Sequence, residues 1–175
     1  MDYEVLAWPP GGPSLRLDHE RFAYAGKFVM TGTGKAVARD DNSIVGAVAF
    51  DEDRTIPSTL RIRYVTVERT RRGEGIGSWL LKELRSDALE RDYERVAIAV
   101  NNPYAYEACW RAGFSPTGET TGIAEVVLEH EPPVVRDPAT YREGLRSLCD
   151  RESLSEAERR FLETRLACGP DHNRS

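Results

Sequence analysis

Between Leu60 and Leu84 the apolar spacing changes from every second residue to every fourth, across a loop of arginines and glycines. "LRIRYVTV" (Leu60 to Val67) alternates apolar and polar side chains, the pattern of a half-buried strand. Ile76, Leu80, Leu84 and Ala88 then recur at helical spacing and predict a helix from about Gly75 to Arg91. The connection carries Arg69, Arg71, Arg72, Gly73 and Gly75. A strand ending in charge, glycines that let a ligand approach the backbone, and the unpaired N–H groups of a helix N-terminus together suit an anion. Arginines beside them add charge-assisted hydrogen bonds. The plainer reading is a flexible helix start under a solvated basic face, and the three upstream arginines weigh against it.

The rest of the chain supplies a frame for this loop. "YEVLAW" (residues 3–8) reads as a first strand, broken by "PPGGP". "LDHERFAYAGKF" reads as a short helix capped by Asp18. Lys35 to Arg39 and Ile44 to Phe50 read as a hairpin turning at "DDNS". "RVAIAV" (Arg95 to Val100) is a near-continuous apolar strand of the kind buried on both faces. "NNPYAYEACWRAGF" reads as a helix entered through Asn102 and Pro103 and stopped at Gly113. A strand pair over Phe114 to Glu129, turning near "GETTG", follows. Beyond "EPPV", Asp137-Pro138 opens a helix, and Ser155 with Glu158 forms a capping box for another, so residues 137–168 read as two appended helices. The closing "GPDHNRS" reads as frayed. Strands and helices in this order make an α/β (α+β) domain: a mixed, mostly antiparallel sheet with helices on both faces and a C-terminal helical appendage. The expected division is 1–130 for the main domain and 131–175 for the extension.

Composition narrows the function classes. At 175 residues the chain is expected to be one domain with an appendage. A net charge of −5 weighs against a nucleic-acid partner. No apolar run approaches the roughly 20 residues that span a bilayer. With no basic-then-apolar leader, a membrane partner is not expected. Cys109, Cys149 and Cys168 lie at spacings that suit neither a disulfide framework nor a zinc site, so no metal is expected and a reduced, cytoplasmic setting fits. Of 24 basic residues only Lys27, Lys35 and Lys82 are lysines, which reads as compositional background.

Three nucleotide-loop patterns compete for the glycines. A Walker A loop fails because no Gly-Lys-Ser/Thr follows. The dinucleotide fingerprint half fits, with Ser78 where the third glycine belongs, and fails on context because "ERTRRG" intervenes after hairpin-linked strands. Arg72, Gly75 and Gly77, in the order Arg-x-x-Gly-x-Gly after "VTV" and before an "LL" helix, fit a third pattern. This resembles the acetyl-CoA loop of the GNAT superfamily of acyl-CoA-dependent N-acetyltransferases. Asn102, Ala105, Gly113 and Phe114 resemble that superfamily's Asn-x-x-Ala helix ending in Gly-Phe, at the expected distance. The resemblance covers about Ala36 to Glu129 and leaves the appended helices outside.

The resemblance implies acetyl-CoA as cosubstrate. Its pyrophosphate would lie on the amides of Arg72, Gly73, Glu74, Gly75, Ile76 and Gly77. The pantetheine arm would pair with Val65, Thr66 and Val67 as an added strand. The Val67 N–H would donate to the thioester oxygen. Asn102 would contact the arm, and its simpler reading is a helix N-cap. The position where the family commonly carries an acid tyrosine, four residues before Gly113, is Cys109 here. Tyr106 lies one turn earlier, about 4.5 Å along the axis. Three options stay open: Tyr106 reaches the sulfur through a shifted pose, Cys109 donates, or the thiolate leaves without an acid. Cys109 also reads as a plain buried cysteine.

The base is equally open. Where some members carry a glutamate this chain has Arg61, and His19, Glu20, Glu68 and Glu125 are candidates by chemistry alone. A lysine amine with pKa near about 10.4 is only ~0.04% neutral at pH ~7, whereas an α-amine is over ~10% neutral. A site without a clear base therefore leans toward an α-amine or another weakly basic amine. The expected activity is acetyl transfer from acetyl-CoA to a primary amine by direct attack. The acceptor would be an amine-bearing small molecule or a protein N-terminus, and a homodimer is an open expectation. The alternative is a catalytically weak CoA-binding sensor that signals through residues 137–168.

Overall fold

The computed structural model describes residues 1–171, and its contacts divide the chain into two units, Met1–Val96 and Ala97 onward. In the first unit, β1 (Asp2–Ala7), β2 (Gly34–Asp40), β3 (Ser43–Glu52) and β4 (Thr59–Val67) pair antiparallel in that order. The β2–β3 hairpin turns on Asp41 and Asn42, with φ of 46° and 67°. A two-residue turn of this hand needs left-handed backbone at both positions, which Asp and Asn tolerate better than most side chains. The predicted strand cores therefore stand, with ends shifted by one or two residues: β1 starts one residue earlier than expected and stops before Trp8, while β2 and β3 run longer.

Helix α1 (Ile76–Glu90) buries Ile76, Leu80, Leu81, Leu84 and Ala88. It packs on β2, β3 and β4. The sheet presents its smallest residue there: a methyl on Gly46 would stand 3.2 Å from Ile76 Cγ2 and 3.5 Å from Leu80 Cδ2. Phe28 joins Val37, Ala47 and Ala49 in a separate buried cluster, with Leu15, Leu17 and Tyr64 packed around it. Neighbours on both faces explain why β3 reads as an uninterrupted apolar run rather than an alternating one.

The helix expected from Asp18 to Phe28 does not form. Asp18 caps only a local turn: its Oδ1 accepts the Glu20 N–H at 2.8 Å and its carbonyl accepts the Phe22 N–H at 2.9 Å. A 3-10 helix follows over Ala25–Val29. Phe22, Ala25 and Phe28 are all buried, a three-residue spacing that matches the 3-10 period and not the α period. Tyr24, with φ of 59°, interrupts any continuous helix.

The division between units falls within β5 (Arg95–Val100). In the second unit, α2 (Pro103–Arg111) is followed by β6 (Ser115–Thr120) and β7 (Val126–His130), an antiparallel pair. The extension forms the two helices expected of it. α3 (Pro138–Arg146) is capped by Asp137, whose Oδ1 accepts the Ala139 N–H at 3.0 Å. α4 (Glu156–Cys168) starts with the reciprocal capping box of Ser155 and Glu158, at 2.7 and 3.2 Å. α3 packs on β6 and both helices pack on α2. Close approach depends on Gly144, where a methyl would meet Tyr106 Oη at 2.4 Å and Pro116 Cβ at 2.8 Å.

The end of the extension is held. Gly169 and Pro170 are buried, the Asp171 N–H donates to Glu107 Oε1 at 3.2 Å, and Arg165 pairs with Asp171 at 3.0 Å. The stretch read as frayed is thus ordered through Asp171, and residues 172–175 lie outside the described residues. The class is α/β: among the described residues, a mixed and mostly antiparallel set of seven strands with four α-helices. Among the described residues no helix is long and apolar enough to cross a membrane.

Candidate active site

The loop between β4 and α1 is built by three local devices. The Glu68 N–H donates to Val45 O at 2.9 Å, which extends the β3–β4 ladder past the last strand residue. A single 3-10 turn over Arg69–Arg71 then reverses the chain, with the Arg71 N–H donating to Glu68 O at 2.9 Å. Gly73 and Gly75, with φ of 86° and 87°, bring it to the helix in a conformation that L side chains rarely adopt.

The three arginines have different duties. Arg71 is committed to structure: its Nη1 donates to Asp40 Oδ2 at 2.9 Å and its Nε to Glu74 Oε2 at 2.7 Å, so it ties the loop to the end of β2. Arg69 Nε donates to Glu20 O at 3.1 Å. Arg72 is exposed, and no side-chain hydrogen bond or ion pair engages it among the described residues. Its whole guanidinium is available to an anion, whereas Arg69 keeps only its terminal nitrogens.

The helix start is open as well. Gly75 occupies the N-cap position and no side chain caps α1, nor does an acidic residue stand in its first turn. Its leading N–H groups and the positive end of its dipole are left for an external acceptor. The Gly75 carbonyl accepts from Trp79 N–H and from Ser78 Oγ–H, both at 3.0 Å, which stiffens the turn. Gly77 lies against the strand end, where a methyl would stand 3.4 Å from Val67 Cγ2.

Strand register decides where the β4 amides point. Glu68 donates to Val45, while Thr66 is opposite Ala47 and Val67 opposite Gly46. Because donors alternate along an antiparallel strand, Thr66 and Glu68 direct their N–H groups to β3. Val65 and Val67 direct theirs to the other edge of β4. Sequence reasoning named Val67 as donor, and only the register shows which edge its N–H serves.

In the second unit, Asn102 is the N-cap of α2: its Oδ1 accepts the Ala105 N–H at 2.9 Å. Its Nδ2 donates to Asn101 Oδ1 at 3.2 Å. Tyr106 and Cys109 follow one turn apart on α2, and both are 0% exposed. The Tyr106 hydroxyl donates to Tyr141 O on α3 at 2.9 Å. Burial pushes its phenol pKa up, with Cys109 and Glu107 adding to the shift. Burial alone pushes the Cys109 thiol up to about 12. A Cys109 this buried and this weak an acid matches the plain-cysteine reading.

The base candidates differ in exposure and in their partners. His19 and Glu20 are exposed. Arg21, bonded to Glu68 at 2.9 Å, holds that carboxyl below its ordinary range and so weakens it as a base. Glu125 accepts from Thr121 Oγ1 at 3.2 Å within its own hairpin turn. Arg61 is paired with Asp53, its Nε at 2.8 Å from Oδ2. Sequence reasoning missed the buried group next to the acid position. Glu107 accepts from the Tyr141 hydroxyl and from the Asp171 N–H, linking α2 to the whole extension. Nothing in the residue pattern marks one glutamate in "YAYEAC" as the buried one.

Residues 3–114 match the acetyltransferase (GNAT) family. The chain belongs to that family. This GNAT domain has no match among curated proteins. Among solved structures it is similar to an N-acetyltransferase from Staphylococcus aureus Mu50, at 20% identity and a TM-score of 0.50, over 57% of this chain and 67% of that one. It is also similar to yncA from Salmonella typhimurium, a structure with its cofactor acetyl-CoA, at 16% identity and a TM-score of 0.51, over 61% and 69%. At such identities these neighbours speak to the fold of the GNAT domain.

Proposed function

We propose that this GNAT protein is an N-acetyltransferase that moves an acetyl group from acetyl-CoA to a primary amine by direct attack. The observation that carries the reading is the uncapped α1 N-terminus behind Gly73 and Gly75, with Arg72 unengaged beside it. An anion of pyrophosphate type suits that combination, and the amides of Arg72 through Gly77 would hold it. Val65 and Val67 would offer N–H groups to an extended amide-bearing arm lying along the same edge of β4. Bound acetyl-CoA supplies the activated acetyl group. The Val67 N–H would donate to the carbonyl oxygen as negative charge develops there. Asn102, already a cap, would offer the arm the side-chain N–H that it does not donate to Asn101.

We place neither Tyr106 nor Cys109 at the leaving sulfur. Tyr106 spends its proton on a main-chain carbonyl and Cys109 is a buried, very weak acid, so the thiolate leaves as the anion and is protonated by solvent. With the Glu68 carboxyl held below its ordinary range by Arg21, an acceptor that is already partly neutral is favoured: an α-amine on a small molecule or a protein N-terminus. We keep 1–130 as the catalytic domain and 131–175 as its extension.

The same scarcity of acid and base groups supports a second reading, a CoA-binding sensor with little turnover. Calorimetric titration with acetyl-CoA, with NAD as control, followed by thioester turnover against an amine panel, separates the two. Binding of acetyl-CoA with turnover on α-amines supports the enzyme. Binding without turnover on any amine supports the sensor. No binding refutes both, and turnover confined to lysine side chains or polyamines refutes the acceptor assignment.

A further inference from the structure

At the opposite end of α1 from the glycine loop, a cleft of about 320 Å³ opens between the end of β1, the β3–β4 loop and the turn after the helix. The helix has 15 residues, so the cleft lies roughly 20 Å from the cofactor loop. Its wall is an aromatic platform: Trp8 and Tyr93 stack at 6.1 Å with 20° between their planes. The Arg91 guanidinium lies over Trp8 at 4.2 Å. Glu52 and Asp92 complete the lining with two carboxylates.

The polar groups of this lining are underused. Glu52 Oε1 accepts the Tyr93 hydroxyl at 2.9 Å, and its second oxygen has no hydrogen-bond partner among the described residues. Arg91 Nε stands 3.6 Å from Asp87 Oδ1, and no hydrogen bond engages its terminal nitrogens among the described residues. Asp92 accepts no side-chain hydrogen bond among the described residues, and it is placed against electrostatic expectation. Its φ of 67° puts it in the left-handed turn that ends α1, where Gly or Asn is the usual choice. A carboxylate at the negative end of a helix dipole is unfavourable unless a cation joins it.

We propose that this cleft binds a free α-amino acid, with basic side chains preferred. The ligand's ammonium would meet Asp92 and the free oxygen of Glu52. Its carboxylate would face the Arg91 guanidinium, and its carbon chain would lie on the Trp8–Tyr93 platform. The lining carries one more carboxylate than guanidinium, which selects a net cationic ligand over an acidic one. The site is separate from the acetyl-CoA loop and does not rest on acetyl transfer.

The test is titration of the whole protein with L-arginine, by calorimetry and by tryptophan fluorescence, with Trp8→Phe as the optical blank. Saturable binding with Kd on the order of 1 mM is expected, and L-glutamate, methylamine and acetate should each bind about tenfold or more weakly. Arg91→Gln and Asp92→Asn should each weaken L-arginine about fivefold or more without unfolding the protein; Asn tolerates the left-handed turn, and loss of the carboxylate at the helix end should raise the melting temperature of Asp92→Asn. No saturation up to roughly 50 mM overturns the proposal. So does binding that neither substitution weakens, or L-glutamate binding as tightly as L-arginine.

Discussion

Replacing Arg72 with alanine tests the anion loop at the point where structure and function separate. Arg71 holds Asp40 and Glu74 at 2.9 and 2.7 Å, whereas Arg72 is exposed and engages no side chain among the described residues. Truncating Arg72 should therefore leave stability within about 0.5 kcal/mol, the usual range for a surface change away from any special contact. Hydrogen bonds to charged groups contribute about 1.5–3 kcal/mol, and solvent at this site reduces that to roughly 1–1.5 kcal/mol. The dissociation constant for acetyl-CoA should then rise roughly 5- to 10-fold. The assay is calorimetric titration at about 0.05 and 0.5 M KCl, where the variant should also lose part of the salt dependence of the parent. Arg71→Ala is the contrast: two part-exposed ion pairs are lost, so the urea midpoint should fall where that of Arg72→Ala does not. An unchanged affinity in Arg72→Ala, or equal losses of stability in the two variants, would refute the division of labour between these arginines.

Three further outcomes are expected. Tyr106→Phe removes the hydroxyl that donates to Tyr141 O at 2.9 Å, so it should cost about 1 kcal/mol of stability while kcat stays within roughly fivefold. A fall of ~10²–10⁴ with loss of the alkaline limb of the pH–rate profile would restore Tyr106 as the acid. Gly144→Ala forces a methyl to 2.4 Å from Tyr106 Oη and 2.8 Å from Pro116 Cβ, and overpacking of this kind costs about 1–3 kcal/mol, read as a lower urea midpoint. Asp53 is held down to about 2 from 3.8, first by the Thr55 N–H and then by Arg61. Its depressed pKa adds stability that is complete above 3.8 and lost as the pH falls through about 2. Asp53→Asn should therefore narrow its stability deficit against the parent across that window, and a deficit independent of pH would count against it.

Some of this protein was determined by sequence alone, because the physics involved is local. The switch from period two to period four around Arg69–Gly77 placed a strand, an open loop and a helix, since side-chain spacing and glycine conformation are properties of neighbouring residues. The caps at Asn102, Asp137 and Ser155 were legible for the same reason: each bonds an N–H two or three residues ahead. Residues 18–28 depart from the helix their pattern predicts because Phe28 packs against Val37, Ala47 and Ala49 of the sheet and Tyr24 takes a left-handed conformation.

The remaining assignments depend on partners distant in the chain. Arg71 and Arg72 are adjacent and chemically alike, and Asp40, 31 residues away, takes one and leaves the other. The edge served by the Val67 N–H is set by the β3 register. The fate of the Tyr106 proton is set by a carbonyl 35 residues later, on a helix outside the family match. Long-range pairing carries no signature in local spacing, so the loop could be read from the chain, while the assignment of its charges, amides and protons required the fold.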